Sequence, residues 1–137
     1  MRQASPMAAL VLATLASLMA PAAAQKADTP ASLLAAYVKQ AGTPASAERG
    51  QKFFNAGFGK DYANCAACHG AVPTEDGKDL LMDKRIGPLA PAFNKARFTE
   101  RAKVEMAFSM NCRDVVGRAC TAGEKADVLA WLISLKP

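Results

Sequence analysis

The sequence predicts an all-α protein that forms one domain of about four helices. Apolar residues recur at intervals of three and four along several segments, which is the spacing of one helix face. These segments begin at residues that commonly cap helices, and no segment sustains the alternation of apolar and polar residues typical of a strand. The length of 137 residues is enough for one domain and leaves little room for another.

Residues 1–24 are predicted to be a secretory signal peptide, followed by the domain over residues 25–137. Arg2 gives a positive start, residues 7–19 are apolar and uncharged, and residues 22–24 are the small alanines that a signal peptidase recognises. The apolar stretch is too short to span a bilayer, which favours a cleaved signal over an uncleaved anchor. We therefore expect export to the periplasm and no membrane insertion after signal removal.

The first two predicted helices lie on either side of Gly42. Thr29 and Pro30 form a cap followed by a proline in the first turn, and Gly42 ends this helix. The second helix begins near Ser46, with Glu48 in its first turn. The apolar residues that the two helices bury are Leu33, Leu34, Tyr37, Val38, Phe53 and Phe54.

Residues 70–94 contain three glycines and three prolines and are predicted to be mostly loop. A loop of this length is unusual in a small domain unless it wraps around something. A third helix is predicted from about Thr99 to Asn111, and a fourth begins with the capping box formed by Thr121 and Glu124. The fourth helix has an apolar face of Val128, Leu132 and Leu135, with Trp131 beside it.

The motif Cys65-Ala66-Ala67-Cys68-His69 carries the chemistry of the chain. On a helical turn, residues three apart share one face, so both sulfurs can reach the two vinyl groups at one edge of a porphyrin. His69 then lies beneath the iron. The motif is typical of c-type haem attachment, and it predicts one covalent haem c held by Cys65, Cys68 and His69.

Two other interpretations of the paired cysteines are weaker. A thioredoxin-like redox pair is expected to follow a strand, and none is evident. A structural zinc site needs four ligands, usually from a second close pair, and Cys112 and Cys120 are too far apart in sequence to imitate one. Because the protein is expected to be exported, a disulfide between Cys112 and Cys120 is predicted, with two buried free thiols as the alternative.

The second axial ligand of the iron decides the function, and the residues alone leave it open. His69 is the only histidine, which excludes bis-histidine ligation within one chain. Helical spacing places Met106 and Met110 on the side of the third helix opposite Asn111, whereas Met82 lies in the loop and is a conventional candidate. Asn111 shares its sector with Val104, Ala107 and Phe108, but asparagine is also common where a helix ends.

Several stretches of the second half of the chain resemble the sphaeroides haem protein family of oxygen-binding c-type cytochromes, related to cytochrome c double-prime. They are residues 86–91, 97–100 and 103–105, and the run from Asn111-Cys112 through Gly117 and Cys120 to residues 124–127. The resemblance covers nearly the whole predicted domain and implies a class I cytochrome c fold with an added helix and a disulfide.

The resemblance also implies a ligand set and a partner. In this family the residue before the first disulfide cysteine is the distal ligand, and asparagine there marks the oxygen-binding branch, which points to Asn111. It implies an electron-donor partner, expected to be a dihaem cytochrome c. The chain departs from the expected pattern at Arg113, where a small polar residue is usual, so its ligand preference is open.

Three functions follow as hypotheses. The leading one is a cytochrome with His69 and Asn111 ligation that releases Asn111 on reduction and binds small diatomic ligands such as O₂ and NO. The second is an ordinary electron-transfer cytochrome with Met82 on the iron. The third is a haem enzyme acting on peroxide or NO, but no second histidine is present to shuttle protons, so we expect no enzymatic role.

The 17 basic and 12 acidic side chains are spread along the chain and do not indicate nucleic-acid binding.

Overall fold

The computed structural model describes residues 27–137; the predicted signal peptide lies outside this part of the chain. The described residues form five helices and one small antiparallel pair of strands, which confirms the all-α prediction. In chain order the elements are α1 (Pro30–Ala41), α2 (Ala47–Asn55), α3 (Ala66–His69), β1 (Gly77–Lys78), β2 (Arg85–Ile86), α4 (Arg101–Val115) and α5 (Ala122–Ser134).

The predicted helix starts are set by local side-chain caps. Thr29 and Ser32 form a reciprocal capping box at α1, and Thr121 and Glu124 form another at α5. The first helix ends at Gly42, whose φ of 68° is the left-handed conformation that glycine adopts at low cost. These boundaries are confirmed because the capping chemistry is local and needs no tertiary contact.

The core forms where α1 and α2 pack against α5. Leu33, Tyr37, Phe54, Leu129 and Trp131 are all buried there, and the Phe54 and Trp131 ring centroids lie 5.1 Å apart. Trp131 is thus part of the structural core, as its position in the sequence suggests.

A buried carboxylate joins α2 to α5. Asp127 accepts hydrogen bonds from the Ser46 backbone N–H at 2.6 Å and from two nitrogens of the Arg49 guanidinium at 2.7 and 2.8 Å. These donors compensate for the removal of the carboxylate from water and satisfy an otherwise unpaired N–H at the start of α2.

The crossing of α2 and α5 requires glycine at position 50. A Cβ atom on Gly50 would collide with the backbone carbonyl oxygen of Asp127, at 2.0 Å. Replacing Gly50 with alanine is therefore expected to lower the free energy of unfolding by about 3 kcal/mol, as overpacking does. Denaturant titration followed by circular dichroism measures the change. Gly57→Ala is the matched control, because a Cβ there meets only one atom at 3.8 Å, and its effect should stay within about 0.5 kcal/mol.

The structure differs from the sequence prediction in three places. The C-x-x-C-H motif forms its own short helix, α3, and the predicted loop contains the strand pair. The helix predicted to end near Asn111 continues to Val115.

Within residues 27–137 no helix is long and apolar enough to cross a membrane.

Candidate haem site

A cavity of about 510 Å³ lies between α4 on one side and α2, α3 and α5 on the other. It contains the motif residues Cys65, Cys68 and His69 and, on α4, Asn111. Most of the remaining lining is apolar and includes Phe53, Phe54, Ile86, Leu89, Phe98, Val104, Ala107, Phe108, Val128 and Leu132. The structure therefore brings together residues that are more than 40 positions apart in the sequence.

The motif is held in place by its neighbours. Asn64 accepts a hydrogen bond from the Ala67 N–H at 2.9 Å, and its side-chain amide donates to the carbonyl of Asn55 at the end of α2 at 3.2 Å. Strand β1 crosses the other side so closely that a Cβ on Gly77 would collide with the carbonyl oxygen of Cys68. Local contacts thus fix both cysteines and His69 against the cavity.

The electrostatics of the motif favour metal ligation over redox chemistry of the cysteines. Burial, aided by the positive charge of Arg97, lowers the pKa of His69 to about 4, so its imidazole is neutral and keeps a lone pair for a metal. Burial raises the pKa of the Cys65 thiol to about 11, whereas reactive redox thiols have lowered pKa values.

The structure argues against the zinc site and the thioredoxin-like redox pair as interpretations of the paired cysteines. Cys112 and Cys120 form a disulfide with their Cα atoms 5.6 Å apart, which confirms that prediction and removes both sulfurs from any zinc set. No group of three or more His, Cys, Asp and Glu side chains in residues 27–137 is arranged to hold a metal ion. In this part of the chain both strands follow the motif, unlike the strand that precedes a thioredoxin-like pair.

Asn111 lies within α4 and lines the cavity, together with Val104, Ala107 and Phe108. Because the helix continues four residues further, the explanation of Asn111 as a helix-terminal residue is wrong. Asparagine is a poor interior helix residue, so its position calls for another role. The disulfide at Cys112 fixes the backbone directly beside it.

The methionines are arranged differently from the prediction. Met110 also lines the cavity, so its predicted place on the opposite side of the helix is wrong, while Met106 is 59% exposed and does not line it. Met82 lines the cavity from the turn between β1 and β2, but it is 58% exposed. Because Met82 lies in a turn and Asn111 lies within a helix, Met82 is the less well fixed candidate, but it is within reach of the site.

Polar side chains hold α4 to α1 and α5. Glu105 accepts hydrogen bonds from the Tyr37 hydroxyl and from Lys125, each at 2.6 Å. Burial raises the pKa of Glu105, but these two donors outweigh it and hold the pKa below its usual value. The Lys125 ammonium also lies 5.7 Å from the ring centre of Phe108, which faces the cavity.

The loop after β2 contributes a residue that sequence reasoning missed. Arg97 lines the cavity and donates to the carbonyl oxygens of Pro88 at 2.9 Å and Gly87 at 2.7 Å. The Pro88 carbonyl also accepts from Asn94 at 3.2 Å. Phe98 lines the cavity, whereas Phe93 is 38% exposed and lies outside it.

The donor set fits one haem. A cavity of this volume is typical of sites for small-molecule ligands and cofactors, and its walls are mainly apolar. Two unpaired thiols three residues apart and a neutral imidazole stand at one side. Cys65 and Cys68 would hold the porphyrin edge and His69 the iron.

The chain is similar to known proteins. Residues 40–132 match the family model described as a domain of unknown function, DUF1924. The cytochrome c-type protein SHP of Cereibacter sphaeroides is 48% identical over 107 residues, which is 76% of this chain and 82% of that protein. Cytochrome c'' of Methylophilus methylotrophus is 43% identical over 89 residues, 62% of this chain and 61% of that protein.

Solved structures agree with the sequence comparison. Oxidised SHP, described as an oxygen-binding cytochrome c, matches with a TM-score of 0.72 and 46% identity over 79% of this chain and 98% of that one. Oxidised cytochrome c'' from Methylophilus methylotrophus matches with a TM-score of 0.72 and 35% identity, over 79% and 95% of the two chains. The all-α fold described above is therefore the fold of these cytochromes.

Proposed function

This chain belongs to the family of SHP and cytochrome c'', and on that basis we propose that it binds small diatomic ligands such as O₂ and NO at a haem iron held by His69 and Asn111. Its cofactor is one haem c. The observation that carries the proposal is the position of Asn111, which stands in the cavity wall beside Cys112 in a chain with one histidine.

The chemistry of an amide ligand explains why ligand binding is linked to reduction. When bound, the haem would supply a redox-active iron that His69 and Asn111 would hold. The amide oxygen of Asn111 is a neutral, hard and weak ligand, which suits ferric iron and is poor for ferrous iron. In the proposed function Asn111 would therefore hold the iron in the oxidised protein and would release it on reduction, which would free its amide to donate a hydrogen bond to a bound ligand.

The surroundings of Asn111 favour release by side-chain movement. The disulfide closes a short loop next to it and contributes roughly 2–3 kcal/mol by the chain-entropy model. Earlier along α4, Glu105 ties the helix to Tyr37 and Lys125. With the helix held at both places, rotation of the Asn111 side chain is the smallest change that opens the position.

Met82 supports a second candidate, an ordinary electron-transfer cytochrome with His/Met ligation. Its place in the cavity lining is the specific observation in favour. Against it, the side chain is more than half exposed in a turn whose backbone is held by Asp79, which accepts from the Leu81 and Met82 N–H groups at 2.9 Å.

We also propose where the protein is located, which kind of partner it has and whether it is an enzyme. The predicted signal peptide supports a periplasmic protein, and the family membership supports an electron-donor cytochrome, of the dihaem type, as the partner. We propose that the protein is not an enzyme, because the single histidine is committed to the iron and none is left to move protons.

Optical spectra of the purified holoprotein test the function. The ferric protein should lack the far-red band of a Met–iron bond, and the ferrous protein should be high-spin and bind CO rapidly. A far-red band in the ferric protein together with a low-spin ferrous form that ignores CO would contradict the proposal and favour the Met82 candidate.

A further inference from the structure

The face of α4 that lines the cavity has one small side chain near its middle. Of the α4 residues from Lys103 to Val115 that line the cavity, Ala107 has the smallest side chain. It lies one turn before Asn111, and residues four apart stack on the same face of a helix. Because helical side chains lean toward the start of their helix, a side chain at position 111 covers the turn that contains Ala107. Ala107 therefore borders the space into which the Asn111 amide projects.

The bulkier apolar side chains beside Ala107 on this face are held in place. Val104 is buried in the core. The Phe108 ring packs edge-to-face against Tyr37, with ring centroids 6.0 Å apart. Because both side chains are packed against the rest of the domain, neither can move aside into free space. The open space on this face thus depends on the size of the residue at position 107.

The backbone of α4 is also fixed on both sides of Ala107. The hydrogen bonds of Glu105 hold the helix before it, and the disulfide at Cys112 holds the helix after it. A helix held at two such points does not shift away from the cavity to admit a larger group. Extra carbon atoms at position 107 would therefore take up cavity space, which is the condition that makes overpacking costly.

Release of Asn111 from the iron would require room for two groups on this face. The amide must move aside, and a ligand must take the position that the amide leaves. We propose that Ala107 is the residue that sets the size of ligand this site accepts: its methyl group leaves room for a diatomic ligand beside the displaced amide, while the fixed walls of Val104 and Phe108 disfavour longer ligands. The inference rests on the proposed ligation by Asn111 and adds a size limit to it.

Binding of CO and of ethyl isocyanide to the ferrous holoprotein tests the proposal. Ala107→Val adds two methyl groups beside Asn111 and should lower the association rate of CO about tenfold, a cost within the range of overpacking. The rate for ethyl isocyanide should fall further, because this ligand is longer. Ala107→Gly removes one methyl group and should raise the rate for ethyl isocyanide relative to the rate for CO.

Ala102→Val is the matched control. Ala102 lies on the same helix and is exposed like Ala107, but it does not line the cavity. The control adds the same two methyl groups outside the site and should change either rate by no more than about twofold, as surface substitutions do. The ferric spectrum of Ala107→Val should match that of the wild-type protein, because the extra room is needed only after Asn111 has left the iron.

Three results would overturn the proposal: unchanged rates in Ala107→Val, an equal fall in Ala102→Val, or loss of amide ligation in ferric Ala107→Val. If Ala107→Val does not fold, Ala107→Gly decides alone, and an unchanged ratio of the two rates would count against the proposal. Failure of the proposed function would show in a different measurement, as a Met–iron band in the ferric wild-type protein, and would remove this inference with it.

Discussion

Replacing both Cys65 and Cys68 with alanine is expected to give a chain without covalent haem that loses most of its native helical structure. The two thiols line the cavity beside His69, and thioether attachment needs both sulfurs. The variant should release any haem into acid–acetone, whereas the wild-type protein should retain it in the aqueous phase.

The loss of fold follows from the size of the cavity in so small a domain. Without haem, the mainly apolar side chains that line this cavity of about 510 Å³ face water, and each such side chain forgoes about 1.5–3 kcal/mol of burial. A few such side chains together match the whole stability of a typical domain, about 5–15 kcal/mol. Far-UV circular dichroism should therefore show a large fall in helicity.

Replacing both Cys112 and Cys120 with alanine is the matched control. It also removes two cysteines, but from a disulfide rather than from the cavity attachment. This variant should keep its covalent haem and its helices and lose only roughly 2–3 kcal/mol of stability. A Cys65/Cys68 variant that remained fully helical, with haem still resistant to extraction, would contradict the assignment of the motif.

Local chemistry explains which parts of the fold could be predicted. Thr29 and Thr121 cap their helices with residues three positions away, so the signal is complete within one turn. The prediction ends the third helix near Asn111, which is too early. The helix ends at Val115, and two residues later Gly117 has a φ of 80° and an N–H that bonds back to the carbonyl of Cys112.

The cavity is harder to predict because its parts come from distant segments. Sequence spacing identified the motif and the Asn111 face of α4, since each lies within one short element. The place of Arg97 in the cavity wall depends on contacts with Gly87 and Pro88, made within a loop that has no period. Its only sequence signal is the family-like run of residues 97–100.

Replacing Asn111 with alanine is expected to convert the ferric protein from amide-ligated to high-spin, with water at the distal position. The side chain is exposed to the cavity rather than packed in the core, so the stability of the domain should change by less than about 0.5 kcal/mol. Asn111→His should instead give a low-spin bis-histidine protein, because imidazole is a stronger ligand at the same position. Electron paramagnetic resonance and optical spectra of the ferric variants distinguish these states.

Met82→Ala is the comparison that decides between the two distal candidates. If Asn111 is the ligand, Met82→Ala leaves the ferric spectrum and the rate of CO binding to the ferrous protein unchanged, because Met82 contributes only an exposed side chain at the cavity edge. If Met82 is the ligand, a Met–iron band survives in Asn111→Ala and disappears in Met82→Ala. That second pattern would contradict both the assignment of Asn111 and the proposed ligand-binding function. A thioether ligand suits ferrous iron and would keep the distal position occupied after reduction.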